Sequence, residues 1–288
     1  MLRNVKDYHY PGSLDEALSL DNRESRSFFI AGGTALALSD SSRPVELIDV
    51  SRLGLNDLEL DRENGNLKIG ASTRIQRVVE SGAARSVLGG FLSESLEEIG
   101  SYPIRNAGTL GGSLVRPFPW SDIIPILSVL ETEVFYYHEG NEKTRELSRL
   151  YESDFRSTLN SSIIEGVSIS LPEEGNTAAK FMKFSRSEFD VASLNLACRL
   201  TVEGGYISKA KLSIGARPMT GERIPALEDN LVGKKLTEEL AKKSGKEAGE
   251  SAELRGDEKL GQEYREQLVK KMTEEAITEI MKEVANES

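Results

Sequence analysis

Two glycine-rich stretches hold the residue types best suited to chemistry in this chain. The first is Ile30-Ala31-Gly32-Gly33-Thr34-Ala35-Leu36, which follows the apolar run Ser27-Phe28-Phe29-Ile30. Paired glycines after a strand let the backbone turn tightly and approach a ligand with no Cβ in the way. Successive N–H groups in such a turn form a pocket for phosphate, and Thr34 adds a hydroxyl. The second is Arg105-Asn106-Ala107-Gly108-Thr109-Leu110-Gly111-Gly112-Ser113, another turn of small polar residues, long enough to wrap a pyrophosphate. Neither is the Gly-x-Gly-x-x-Gly dinucleotide fingerprint, so a Rossmann domain is not indicated. Each stretch alone also reads as a plain turn. Together they point to a diphosphate held between two lobes.

Other chemistry is closed off by scarcity. The 288 residues include one cysteine, Cys198, and two histidines, His9 and His138. No internal disulfide can form, no cysteine-ligated iron–sulfur cluster can be held by this chain alone, and a Cys/His zinc site lacks ligands. With 36 basic and 47 acidic residues the formal charge is −11. That argues against a general nucleic-acid binder and against docking on an anionic membrane. The longest apolar stretch, residues 123–130, is interrupted by Pro125 and Ser128 and falls short of the ~20 residues a membrane helix needs. The first residues lack the apolar run of a signal peptide, so the chain reads as cytoplasmic, with no membrane insertion.

The elements that must position these stretches alternate in the first part of the chain. Residues 27–30 and 45–50 read as strands flanking a short helix over 34–38, which implies a parallel unit. Leu67-Lys68-Ile69 is a third strand, and Ser72-Thr73 can cap a helix through Val79. Residues 91–99 place Leu92, Leu96 and Ile99 on one helical face. An apolar helix starts at Asp122, for which Asp122 is a candidate N-cap. The polar, turn-rich Pro172-Glu173-Glu174-Gly175-Asn176 marks a boundary. Beyond it, Leu194, Leu196, Cys198, Leu200 and Val202 alternate with polar neighbours, predicting a strand with one buried and one wet face. Glu203-Gly204-Gly205-Tyr206 reads as a hairpin turn into a returning strand over 207–214. The charged C-terminal region is helical, with Leu268, Met272, Ala276, Ile280 and Val284 stepping by four along one face.

In combination these motifs resemble a known family. Ala31-Gly32-Gly33-Thr34-Ala35-Leu36, Gly108-Thr109-Leu110-Gly111-Gly112-Ser113 and Ser121-Asp122-Ile123-Ile124-Pro125 are similar to the FAD motifs of the medium, flavoprotein subunits of molybdenum hydroxylases, the carbon monoxide dehydrogenase and xanthine dehydrogenase family. Lys183-Phe184-Ser185-Arg186 with Asp190-Val191-Ala192, then Ile214-Gly215-Ala216-Arg217-Pro218, Leu231-Val232-Gly233-Lys234 and Glu263-Tyr264-Arg265, extend the resemblance in order along nearly the whole chain. It implies an α+β fold: a two-lobed FAD-binding domain over 1–172, with lobes of roughly 1–60 and 61–172, and a smaller α+β C-terminal domain over 177–288. It implies FAD as cofactor, and electron transfer from iron–sulfur clusters on a partner subunit to an external acceptor, in a complex with a molybdenum-cofactor subunit. A stand-alone FAD reductase on the same fold and a cofactor-free scaffold are the alternatives.

Carried over by residue, the resemblance assigns Ala31, Gly32, Gly33, Thr34, Ala35 and Leu36 to the pyrophosphate through backbone N–H groups. Thr109, Leu110, Gly111, Gly112 and Ser113 form the second loop around it. A Cβ on Gly32, Gly33, Gly111 or Gly112 would block the pyrophosphate or force a strained φ, so Gly33→Val and Gly111→Val are expected to fold but to bind no FAD. Asp122 accepts hydrogen bonds from ribityl or ribose hydroxyls, for which an acceptor-only carboxylate is suited. Lys183 is a polar FAD contact, otherwise a surface lysine on a strand. Ile99 and Ile164 align with apolar positions lining the cofactor, otherwise core. The chain departs from the family pattern at Ala35, at Asp40, at Ser113 and in the bulky Arg116-Pro117-Phe118-Pro119-Trp120. Phe118, Trp120 and Tyr136-Tyr137 are the candidates for an exposed aromatic contact surface.

Overall fold

A computed structural model of the chain describes residues 4–21, 26–37, 44–115, 118–152, 155–171, 176–216, 219–258 and 260–286. The chain forms two compact units, interleaved along the sequence: Met1–Val78, Ser101–Arg116 and Thr132–Ile169 in the first, Val79–Gly100, Pro117–Glu131 and Ser170–Ser288 in the second.

The first unit is built on two sheets. Strands β1 (Val5–His9), β2 (Ser27–Ile30) and β3 (Val45–Asp49) form a three-stranded sheet in the order β1-β3-β2, and both pairings are parallel. The strand–helix–strand reading of residues 27–50 therefore holds. The helix between β2 and β3 is Thr34–Ala37; Leu38 and Asp40 lie outside the described residues. Helix Leu14–Leu20 starts at Ser13, whose hydroxyl accepts from the Glu16 N–H at 3.1 Å, and it buries Ala17 against Ile48, Val50 and Ile163. The second sheet runs β4-β5-β8-β6-β7, from β4 (Leu58–Asp61), β5 (Asn66–Gly70), β6 (Glu131–His138), β7 (Asn141–Glu146) and β8 (Ile163–Ser170). Residues 70–75 lead from β5 into helix Ile75–Glu80. The Ser72 and Thr73 hydroxyls donate to the carbonyls of Val50 and Asp57.

The second unit is a four-stranded antiparallel sheet in the order β12-β11-β10-β9, from β9 (Asn176–Phe184), β10 (Leu194–Glu203), β11 (Tyr206–Ala216) and β12 (Met219–Arg223). Gly204 and Gly205 turn β10 into β11 at φ of 58° and 83°, a conformation only glycine adopts freely. Leu194, Leu196, Cys198, Leu200 and Val202 enter a core with helices Pro225–Leu231, Glu238–Ser251 and Gln262–Asn286. The last helix buries Met272, Ala276, Ile280 and Val284, as their spacing predicts, and adds Val269 and Ile277.

The opposite face of β10 is not wet. Asn195, Ala197 and Arg199 are buried, because helix Ile123–Val129 lies across that face. The approach is close: a Cβ on Gly221 would sit 2.6 Å from Ile124 Cγ2. The polar neighbours that suggested solvent instead meet a helix whose every residue is buried. Burial lowers the Arg199 pKa, the Glu131 charge opposes that shift, and Arg199 donates to the Val129 carbonyl. Among the described residues no helix is long and apolar enough to cross a membrane.

Candidate cofactor-binding residues

The first glycine stretch leaves the carboxyl end of β2. Residues 31–36 are all half-buried. Gly33 stands at φ +71° and its carbonyl accepts the Ala37 N–H at 2.9 Å, closing the first helical turn. Among the described residues, the N–H groups of Gly32, Gly33 and Thr34 meet no protein acceptor. Three neutral donors on consecutive small residues are a donor set that fits an anionic diphosphate.

The second stretch is not an open loop. It is two short helices, Tyr102–Ala107 and Leu110–Val115, joined through an extended Gly108. Its N–H groups are committed: Leu110 to the Thr73 carbonyl at 3.0 Å, Gly111 to Ala71 at 2.8 Å, Gly112 to Thr109 Oγ1 at 3.3 Å and Ser113 to the Thr109 carbonyl at 3.2 Å. The Gly108 carbonyl accepts from Ile75, so residues 108–111 are stitched to residues 71–75. Thr109, Leu110 and Gly111 are buried, Leu110 completely; Ser113 is half-buried and Gly112 exposed.

The structure brings these two stretches together within the first unit. A Cβ on Gly32 would sit 2.2 Å from the Ala107 carbonyl oxygen, and Thr34 Oγ1 lies 3.6 Å from the Cβ position of Gly108. A Cβ on Gly111 would meet Ala71 Cβ at 2.6 Å. Gly32 and Gly111 are thus required by backbone packing inside the protein. For Gly111 this corrects the expectation that Gly111→Val folds and only loses FAD.

In the second unit, Asp122 occupies the N-cap position of helix Ile123–Val129, but its side chain does not cap it. The carboxylate is buried. Its Oδ1 accepts from Asn195 Nδ2 at 2.7 Å, and its Oδ2 pairs with Lys183 Nζ at 3.1 Å. Lys183 Nζ also donates to the Glu98 carbonyl at 2.7 Å, and its side chain is 3% exposed, so it is no surface lysine. Burial raises the Asp122 pKa; the Lys183 ammonium and the Asn195 N–H act against that rise, and the Glu98 charge adds to it. Sequence reasoning missed Asn195. Its signal was an amide between two apolar strand residues, Leu194 and Leu196, with a buried position on the other face.

Ile99 is half-buried in the second unit, one residue past the turn that follows helix Phe91–Glu97. Ile164 is buried in β8 of the first. Phe118 and Trp120 are half-buried and stacked, with ring centroids 4.8 Å apart; Arg116 and Pro117 lie outside the described residues. Tyr136 is not an exposed aromatic. It is buried edge-on against Phe155, because alternate residues of β6 point into the core, and the Tyr137 hydroxyl donates to Asp15. The boundary residues 172–175 and the pair Arg217-Pro218 also lie outside the described residues.

Among the described residues, the first unit thus offers free backbone N–H groups at residues 32–34, and the second a buried carboxylate–ammonium pair. The chain belongs to the family of the FAD binding domain in molybdopterin dehydrogenase, which it matches over residues 3–173. Residues 179–280 match the CO dehydrogenase flavoprotein C-terminal domain. The chain is 25% identical to the glyceraldehyde dehydrogenase medium chain of Sulfolobus acidocaldarius, over 93% of its own length and 95% of that protein's. It is 28% identical to the carbon monoxide dehydrogenase medium chain of Hydrogenophaga pseudoflava, over 87% and 90%. A solved carbon monoxide dehydrogenase from Hydrogenophaga pseudoflava has a chain of the same fold, with a TM-score of 0.89, 22% identity and coverage of 98% and 99%. The chain is an FAD-binding medium subunit of the molybdenum hydroxylase type of dehydrogenase, and FAD is its cofactor.

Proposed function

We propose that this chain is an electron-transfer subunit. It receives electrons from iron–sulfur clusters on a partner subunit and passes them to an external acceptor, in a cytoplasmic complex that includes a molybdenum-cofactor subunit. The observation that carries this reading is the fate of its only cysteine. Cys198 faces the core of the second unit, and burial pushes its pKa up to about 12. No thiolate in these 288 residues is offered to a cluster, yet the chain spans nearly the whole of relatives named as medium chains of dehydrogenases. Relatives include a nicotine 6-hydroxylase medium subunit and a caffeine dehydrogenase subunit, so the substrate varies while this subunit type recurs.

FAD, when bound, supplies an acceptor for electrons delivered by a partner. The protein's part is to hold it. The N–H groups of Gly32, Gly33 and Thr34 donate to phosphate oxygens, with Ala31, Ala35 and Leu36 completing the turn. Thr109, Leu110, Gly111, Gly112 and Ser113 act mainly as the wall on which that turn is set. Asp122 accepts from a cofactor hydroxyl with its remaining lone pairs, and Lys183 favours its charged form against the burial that raises its pKa. Removing such a charged acceptor costs about 1.5–3 kcal/mol of affinity, or roughly one to two decades in Kd. Asp122→Asn is therefore expected to bind FAD one to two decades more weakly in a flavin titration.

The subunit reading is tested with the purified, FAD-loaded chain. Its flavin absorbance should stay oxidised when an aldehyde, carbon monoxide or an N-heterocycle is added, and bleach only when the iron–sulfur and molybdenum subunits are supplied. Bleaching by substrate with this polypeptide alone would replace the subunit reading with a stand-alone reductase.

A further inference from the structure

Asn195 is a fully buried amide on the face of β10 covered by helix Ile123–Val129. Its Nδ2 donates to Asp122 Oδ1 at 2.7 Å. Its Oδ1 is buried and, among the described residues, has no hydrogen-bond partner. That oxygen is lodged over Gly215, the residue opposite Asn195 on β11, where a Cβ would sit only 2.0 Å from it.

The amide can point only this way. Turned over, it would set an oxygen against the Asp122 carboxylate and leave its N–H groups facing a Cα with no acceptor. A buried carbonyl without a donor is a standing cost in a folded protein. An apolar residue of the same size would avoid that cost and pack the same face. The amide is therefore explained by what its other end does.

We propose that Asn195 is the positioning residue of Asp122, and that Gly215 makes room for it. The inference rests on the reading that Asp122 holds FAD. With Lys183 as its sole donor, a carboxylate rotates until both oxygens lie on the ammonium. Asn195 holds Oδ1 while Lys183 holds Oδ2, so the carboxylate plane is fixed and each oxygen keeps a lone pair for a ligand hydroxyl. Lys183 is itself held by the Glu98 carbonyl, so the three groups form one rigid set.

The test uses the full chain, stripped of flavin and titrated with FAD by fluorescence across a pH series. Four variants are compared: Asp122→Asn, Asn195→Leu, the two combined, and Ser213→Ala. Ser213 is buried opposite Ala197 on the same sheet face, and among the described residues its hydroxyl has no partner. Asn195→Leu should weaken FAD about tenfold and move the acid limit of binding to higher pH, because the carboxylate loses a donor that favours its charged form. Glu98 and Lys183, the charged groups facing Asp122, are unchanged in that variant. The combined variant should bind no more weakly than Asp122→Asn alone, and Ser213→Ala should bind as the unmodified chain does. If Asn195→Leu fails to fold, Asn195→Ser, which only removes bulk and the donor's reach, carries the same comparison. Weak binding by Asp122→Asn with normal binding by the Asn195 variant would overturn this inference and leave the role of Asp122 intact. Additive losses, or a loss in Ser213→Ala equal to that in the Asn195 variant, would also overturn it. Unchanged binding by Asp122→Asn would overturn the reading of Asp122 itself.

Discussion

The two glycine stretches of the first unit share residue types but not work. In residues 31–36 the N–H groups of Gly32, Gly33 and Thr34 have no acceptor among the described residues, and the segment is half-buried. In residues 109–113 every N–H from Leu110 to Ser113 has an acceptor within the protein, and Thr109 to Gly111 are buried. One stretch offers donors. The other spends its donors on residues 71–75 and presents a firm surface to the first. The difference teaches that glycine in a phosphate motif answers two separate needs. One is freedom of φ, as at Gly33; the other is close backbone approach, as at Gly32 and Gly111.

The comparison predicts a graded series of substitutions. The largest effect is expected for Gly111→Val. Its Cβ would meet Ala71 Cβ at 2.6 Å in a packed site, and overpacking of this kind costs about 1–3 kcal/mol or more. A thermal melt of the flavin-free protein should show the loss before any ligand is added. An unchanged melting temperature would mean that the second stretch is looser than its hydrogen bonds imply.

A smaller and more selective effect is expected for Gly33→Ala. Its φ of +71° is disfavoured for L-residues by roughly 1–2 kcal/mol, so the turn relaxes and its donors move. FAD affinity should fall by more than the melting temperature accounts for. Equal losses in both would make Gly33 a purely structural glycine.

Next comes Tyr8, on the strand beside β3. Its hydroxyl donates to Asp49 Oδ2 at 2.8 Å, and burial together with that bond raises its pKa to about 12. The sign follows. A raised pKa means the neutral hydroxyl is favoured by folding, so its contribution is complete below pH 10 and disappears as pH climbs towards about 12. Denaturant melts at alkaline pH should show Tyr8→Phe less stable than the unmodified chain at neutral pH, with the gap closing above pH 10. A gap that stays constant would remove the Asp49 bond as its cause.

The smallest effect is expected for Gly112→Ala. Gly112 is exposed and helical, and among the described residues an added Cβ meets only Thr109 Oγ1, at 3.0 Å. The gain of helix propensity, about 1 kcal/mol, and the crowding of Thr109 nearly offset each other. FAD binding should hardly change. A decade of lost affinity would return the second stretch to the role of direct ligand.

Much of this was legible in the residues. The parallel pairing of β2 with β3 follows from strand, glycine turn, short helix and strand in succession. The β10–β11 hairpin follows from Glu203-Gly204-Gly205-Tyr206, and the buried face of the last helix from its four-residue spacing. What was not legible has a common physical cause: a partner far away in sequence. Residues 110–115 are helical despite two glycines, because Thr109 caps them and residues 71–73 pair with them. The polar side of β10 is buried because helix Ile123–Val129, some 70 residues earlier in the sequence, covers it. Asp122 reads as a helix cap from its neighbours, whereas Lys183 and Asn195 claim its carboxylate.

We propose that the pyrophosphate of FAD is bound by the donors of the first stretch and not by those of the second. The direct measurement is an amide NMR titration of the 15N-labelled full chain with FAD, repeated with ADP as a probe carrying the adenosine diphosphate without the flavin. Large downfield proton shifts are expected at Gly32, Gly33 and Thr34 with both ligands, and small shifts at Leu110 and Gly111, whose N–H groups keep their carbonyl partners. Large shifts at Leu110 to Ser113 with residues 32–34 unmoved would contradict it.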